Sequence, residues 1–367
     1  MNNYLYIKEN GEHWFRQSGT ISTRVQYVLK NIKKGKFFIV YPHEYTWPSV
    51  FHKAVQSNKI YKKLKLHFIC NLDIDKKRIE RRLGVLEENI TITHWPTYWF
   101  NTGLGDLHLY QEYNLDPFEL INYKFDKTFI CMNGKFREHR GLLLDEIYKQ
   151  QLENNGYINV LQIPKNNNIY KHWTPEIKTF ASQRHYTYNQ KDTALKQINL
   201  VRMYLPNEWY KAPIHIVPET EHQSLFDNKI FFTEKTSYCL AMLKPFIIVG
   251  QQYAHKKLQD YGFKLYDSIF NYEFDNYEKL SDRITAVVEQ VKNLCNRDPY
   301  ELWHITREVA EYNLDKLVEV SKTTIPNFIY DNDLHKDFGK IVLPHNGGRQ
   351  YIFFDFTKFK FYNKIYL

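Results

Sequence analysis

The chain has 367 residues, 43% hydrophobic and 25% charged, which suits a globular protein of two ordinary domains or one large one rather than a disordered or fibrous chain. Fifty Lys and Arg against 41 Asp and Glu leave a formal net charge of +9, which disfavours cationic partners and favours anionic ones. No apolar run approaches the roughly 20 residues of a membrane span, and the N-terminus MNNYLYIKENGEHWF has no basic-then-apolar leader, so a soluble, cytoplasmic protein without a membrane span is expected.

KFFIVY (36 to 41) is a short apolar strand ended by Pro42, and a helix is read from Pro48 to about Ser57. LKLHFICN (64 to 71) is the next strand. DKKRIERRLG (75 to 84) reads as a charged helix with Asp75 as N-cap and Gly84 as stop, and NITITHW (89 to 95) as a third strand. This βαβαβ rhythm predicts a parallel sheet. Residues 96 to 125 are irregular and aromatic. DKTFICMNG (126 to 134) opens a second block, followed by a strong helix over 137 to 154. Residues 165 to 211 are polar and give no clear element. APIHIVPE (212 to 219) is a strand, Thr233 caps a short helix beginning at Glu234, and PFIIV (245 to 249) is a core strand. A helix over 253 to 263 ends at Gly262, two more cover 276 to 296 and 299 to 321, and Asn346-Gly347 signals a hairpin.

The reading is α/β, with two Rossmann-like domains facing a cleft. Residues 1–125 form the first domain, 126–297 the second, and 298–367 a crossing helix and extension packing back on the first. The four cysteines, Cys70, Cys131, Cys239 and Cys295, are too far apart to suggest a disulfide framework or a metal site. The 29 Tyr and 25 Phe, with abundant Lys, Asn and Ile, fit an AT-rich genome and a viral or phage origin, which would place the protein in a host cytoplasm.

Open parallel sheets bind ligands beyond the carboxyl ends of their strands, so the residues that follow each strand are the candidates. After the strand at 127 to 132 come Arg137, His139 and Arg140, on the first turn of a helix. Cations oppose the dipole at that end, so a bound anion would explain them; pairing with Glu138 or Asp145 would too. After the strand at 212 to 217, Glu219 and Glu221 could accept ribose hydroxyls or be a solvated acidic loop. Thr233-Glu234-Lys235 sets a carboxylate and an ammonium at another helix start, fit to grip a ribose and a diphosphate or simply to cap the helix.

The order and spacing of IVPET (216 to 220), FFTEK (231 to 235), KPFIIVG (244 to 250) and LQDYGFKLYD (258 to 267), with FICMNGKFREHRGLLLDEI (129 to 147) upstream, resembles the donor-binding half of GT-B glycosyltransferases, in particular the fucosyltransferase and exostosin-like groups. The resemblance covers roughly 126 to 295 and does not specify the sugar. It implies a UDP- or GDP-sugar donor with its diphosphate near Arg137, Arg140 and Lys235. Glu219 and Glu234 would hold the nucleotide sugar, with Thr233 capping and His139 in support. It also implies no metal requirement, since basic side chains and helix dipoles stabilise the leaving diphosphate.

An inverting transferase needs a base near the acceptor hydroxyl. Candidates at strand ends are Glu44 first, then His43, His94, Asp106 and His108, each of which could equally be a loop or capping residue. The acceptor would be a hydroxylated base in DNA, as in DNA modification, or a glycan. Two rivals remain. One is a non-catalytic glycan- or nucleic-acid-binding protein on a transferase scaffold. The other is a metal-dependent GT-A transferase using Asp73 and Asp75, whose Asp-x-Asp is short and common. The loop NTGLGD (101 to 106) lacks G-x-G-x-x-G, so a nicotinamide site is not expected.

Overall fold

The structure is a computed structural model that describes residues 4–8, 37–41, 65–70, 76–94, 124–135, 137–162, 207–220, 222, 230–323, 340–345 and 348–353. The chain divides into two compact units, one of Met1–Thr97 with Thr324–Leu334, the other of Tyr98–Thr323 with His335–Leu367. Both contain parallel sheet, so the protein is mixed α/β.

In the first unit β1 (Tyr4–Lys8), β2 (Phe37–Tyr41), β3 (Lys65–Cys70) and β4 (Ile90–His94) lie in that order, every neighbour parallel. Parallel neighbours require a crossover. Between β3 and β4 it is α1 (Lys76–Leu83), where Leu66, Val85 and Ile90 are buried. Gly84 stops the helix as its sequence position implied. It takes φ 70, which a glycine reaches without Cβ strain, and its N–H reaches the Glu80 carbonyl at 2.7 Å. The helix expected over 48–57 and the capping Asp75 lie outside the described residues, while β1 has no counterpart among the expected elements.

The second unit is built on β5 (Phe129–Lys135), α2 (Glu138–Lys149), β6 (Gly156–Gln162), β7 (Ile214–Pro218), α3 (Glu234–Ala241) and β8 (Phe246–Val249). Its sheet is parallel in the order β6-β5-β7-β8. β7 and β8 are buried at every position, as their unbroken apolar runs require of strands covered on both sides. β6 was not among the expected strands. Its first residue, Gly156, is forced by packing, because a Cβ there would run into the Phe129 ring of the paired strand.

From β5 the chain crosses through α2 to β6 on one side, whereas from β7 it crosses through α3 to β8 on the other. Right-handed crossovers running in opposite directions put their helices on opposite faces. The strand order therefore reverses between β5 and β7, and the crevice such a reversal opens lies outside their carboxyl ends. Beyond β8 come α4 (Ala254–Asp260), α5 (Leu280–Leu294) and α6 (Pro299–Thr323). α5 packs on α2, and α6 on α3. Gly262, at φ 87, closes the segment after α4. The strands β9 (Lys340–His345) and β10 (Gly348–Phe353) pair antiparallel around Asn346-Gly347, where the hairpin was expected.

Candidate functional site

Glu219 follows the last residue of β7, and its N–H extends the ladder to the Val249 carbonyl at 3.0 Å. Its side chain is buried, 2% exposed. A buried carboxylate must be matched with donors. One oxygen, Oε1, accepts the Thr233 N–H at 3.0 Å and the Thr236 hydroxyl at 2.5 Å. The other, Oε2, accepts the Thr233 hydroxyl at 2.6 Å and the Thr220 N–H at 2.9 Å. An ionised carboxylate has about four lone-pair sites, and these four protein donors use them. Glu219 thus clasps the start of α3 to the end of β7, and all its acceptor capacity goes to the fold. That is a different job from the ribose contact read from its strand-end position.

Thr233 is the N-cap the sequence predicted, its hydroxyl accepting the Lys235 N–H at 3.4 Å. The Lys235 ammonium folds back over the same turn, donating to the Thr233 hydroxyl at 3.1 Å and the Thr220 hydroxyl at 3.3 Å. The Thr233 hydroxyl thus bridges the Lys235 ammonium and the Glu219 carboxylate, donating to the latter. Glu234 is the first residue of α3.

The other side of the crevice is the start of α2. Arg137 is its N-cap in extended conformation and makes no side-chain capping bond. Arg140, buried, donates one guanidinium nitrogen to the Pro218 carbonyl at 3.0 Å and the Glu219 carbonyl at 3.1 Å. His139, also fully buried, places Nε2 2.6 Å from that same Glu219 carbonyl and Nδ1 3.0 Å from Nδ1 of His222. The Arg140 guanidinium at this helix start thus faces the carbonyls at the end of β7, whose dipoles offset the unfavourable helix-start position. Burial above all, reinforced by His222, Arg140 and Arg137, holds the His139 imidazole well below its usual range and therefore neutral.

The crevice accordingly gathers Arg137, His139, Arg140, Glu219, Thr233 and Lys235, drawn from three segments far apart in sequence. Sequence reasoning missed His222, although it directly follows Glu221, which was singled out; its signal is only that it follows a strand end. Thr220 and Thr236 were missed as well, because a hydroxyl's partner depends on tertiary geometry. Glu44, His43, Asp106, His108 and Glu221, and the Asp73–Asp75 pair, lie outside the described residues, and His94 ends β4. Among the described residues no cluster of three or more His, Cys, Asp or Glu is placed to hold a metal ion, and no helix is long and apolar enough to cross a membrane.

The loop after β8 is fixed from behind. His255 Nε2 accepts the Ile248 N–H at 2.9 Å, so its proton sits on Nδ1 and is donated to Asp275 at 3.0 Å. The other Asp275 oxygen caps α4 through the N–H groups of His255 and Lys256, at 3.0 and 3.1 Å. Arg283 reaches the Gly250 carbonyl at 3.3 Å from α5. The space between these groups has room for about one water.

No family model matches the chain, and no curated protein matches it. Among solved structures, the N-terminal domain of a Candida albicans trehalose-6-phosphate phosphatase aligns at a TM-score of 0.38 and 9% identity, covering 87% of this chain and 77% of that one. A glycosyltransferase from Rickettsia africae ESF-5 aligns at a TM-score of 0.28 and 12% identity, over 83% of this chain and 82% of the other. At these scores neither likeness bears on chemistry.

Proposed function

We propose that this chain is a nucleotide-sugar-dependent glycosyltransferase with a GT-B arrangement, its second unit binding the donor and its first the acceptor. The observation that carries the reading is the convergence of Arg140 and Lys235, from two helix starts, on the end of β7 beside the point where the strand order reverses, with Arg137 near enough to act on the His139 and His222 rings. A diphosphate needs such a place: positive charge, helix N–H groups, and water partly excluded. The segment order from 129 to 267 that resembles the donor half of GT-B enzymes supports the same reading.

In this scheme Lys235 and Arg137 contact the diphosphate of a UDP- or GDP-sugar. Arg140 and His139 fix the end of β7 without touching the ligand, and Arg140 alone of the two adds positive field. Glu219, Thr233 and Thr236 hold the start of α3, which carries Glu234 and Lys235, and Glu234 is assigned the ribose role. The leaving diphosphate is stabilised as its charge develops, without a metal, and a base from the first unit, Glu44 before His43 or Asp106, takes the acceptor proton. The acceptor is a hydroxylated DNA base or a glycan. A DNA acceptor would need its base drawn from the stack, and would bind with steep salt dependence.

The test is a panel of labelled nucleotide sugars offered with hydroxymethylated DNA and simple glycans, read by mass spectrometry. Sugar transfer, or slow hydrolysis of one donor, that falls at least roughly a hundredfold in Lys235→Ala is the expected result. Loss of neither activity nor UDP and GDP binding in Lys235→Ala and Arg137→Ala would overturn the assignment.

A further inference from the structure

His222 is half-buried, its side chain 14% exposed, and its ring lies 4.7 Å from the His139 ring with the planes tilted by 32°. Its protonation is decided by its neighbours. The Glu219 carbonyl can only accept, so His139 Nε2 carries a proton. His139 is neutral, so its Nδ1 is the acceptor, and the hydrogen in the 3.0 Å contact belongs to His222 Nδ1. One atom is then left to titrate, His222 Nε2, which lies 3.3 Å from a Glu138 carboxylate oxygen. A neutral ring would set a lone pair against that carboxylate, whereas an imidazolium donates to it.

Resting on the anion-site reading above, we propose that His222 is a further binding residue of the diphosphate site, an imidazolium oriented by His139 that adds a proton-dependent positive charge to those of Arg137 and Lys235. Facing it are Glu138, Arg137 and His139 from the start of α2, and Arg283 from α5. Burial lowers the His222 imidazole from its usual range, with Arg137 and Arg283 adding to the effect, while Glu138 opposes it. The free site is therefore poised to gain a proton when an anion arrives. By linkage, anion affinity falls as pH rises through the interval between the free and bound values.

The probes are UDP-glucose, GDP-mannose and sulfate, which keep a constant charge between about pH 5.5 and 8, where a histidine titrates. Calorimetry on the full chain should show affinity for at least one of them falling roughly tenfold across that window. His222→Gln should bind weakly and with a flat profile. His222→Arg should bind tightly and also flat, a rescue that a merely structural role would not give. Glu138→Gln, at an exposed carboxylate, should move the fall to lower pH.

A wild-type profile retained in His222→Gln overturns the proposal. If Lys235→Ala and Arg137→Ala lose binding while His222→Gln changes neither affinity nor profile, the site stands and the role of His222 falls. If the unaltered protein binds none of the three ligands, the anion site falls, and His222 with it.

Discussion

Glu219 shows how one side chain can be read correctly for place and differently for role. Its position after an apolar strand marks the carboxyl end of a parallel sheet, and that much the sequence carries. The four donors around it come from Thr220, Thr233 and Thr236, which only folding assembles. Each oxygen faces one backbone N–H, which cannot be turned around. Glu219→Gln must therefore set its NH2 against a fixed donor whichever way the amide is placed. We expect a loss of about 2–4 kcal/mol in unfolding free energy, measured by urea denaturation of the second unit's signal. A loss under about 0.5 kcal/mol would mean the clasp is not formed in solution. Gly156 makes the complementary case, where identity is dictated by a neighbour. Gly156→Ala drives a methyl into the Phe129 ring and should cost about 1–3 kcal/mol, with Phe129→Ala in the same chain relieving part of the penalty.

At the scale of elements, the apolar runs at 214–218 and 246–249 were legible because strands buried on both faces leave continuous hydrophobic stretches. The helix stops at Gly84 and Gly262 were legible because positive φ selects glycine. β1 and β6 were not, since YLYIK and GYINVLQ are short and mix polar with apolar positions, so pairing partners decide them rather than periodicity. Helix α4 depends on a partner remote in sequence. Among its first N–H groups, those of His255 and Lys256 are capped by Asp275, twenty and nineteen residues away, and the same carboxylate fixes the His255 ring that receives the Ile248 N–H. Asp275→Asn keeps the shape but offers only one acceptor oxygen for three donors. It should destabilise by about 1.5–3 kcal/mol and speed hydrogen exchange at Ile248 and Lys256 ahead of the rest of the sheet. Uniform acceleration over the whole unit would show instead that this corner does not open by itself.

Three buried bases push the stability of the whole molecule upward with pH, until above about pH 9 the buried thiols of Cys131 and Cys239, raised by burial, begin to oppose them. Lys244 is 3% exposed, its ammonium held by the carbonyls of Trp209 and Ala212 and 5.2 Å from the Trp209 ring centroid. It ties the turn before β7 to the start of β8. Burial pushes its pKa down to about 7, and a neutral amine still has two N–H groups for the two carbonyls. His139 and His215 are likewise held well below the usual imidazole range, in each case chiefly by burial. For all three groups the unfolded chain binds more protons than the folded one over part of the scale. The histidines contribute in full above about pH 6.5 and lose their contribution as pH falls below it, while Lys244 contributes in full only above about pH 10.5 and loses progressively down to about 7. Stability should therefore climb from acid through neutral and on into mild alkali, where many proteins have already passed their maximum. Between about pH 7 and 9 the lysine alone supplies on the order of 2–3 kcal/mol. Lys244→Met removes the titrating group and keeps a long apolar stem, so its stability should be flat across that interval and should fall below the parent's at the upper end. Urea denaturation of both proteins at the two pH values decides the matter, because parallel slopes would place the proton uptake on other groups and leave Lys244 charged inside the fold.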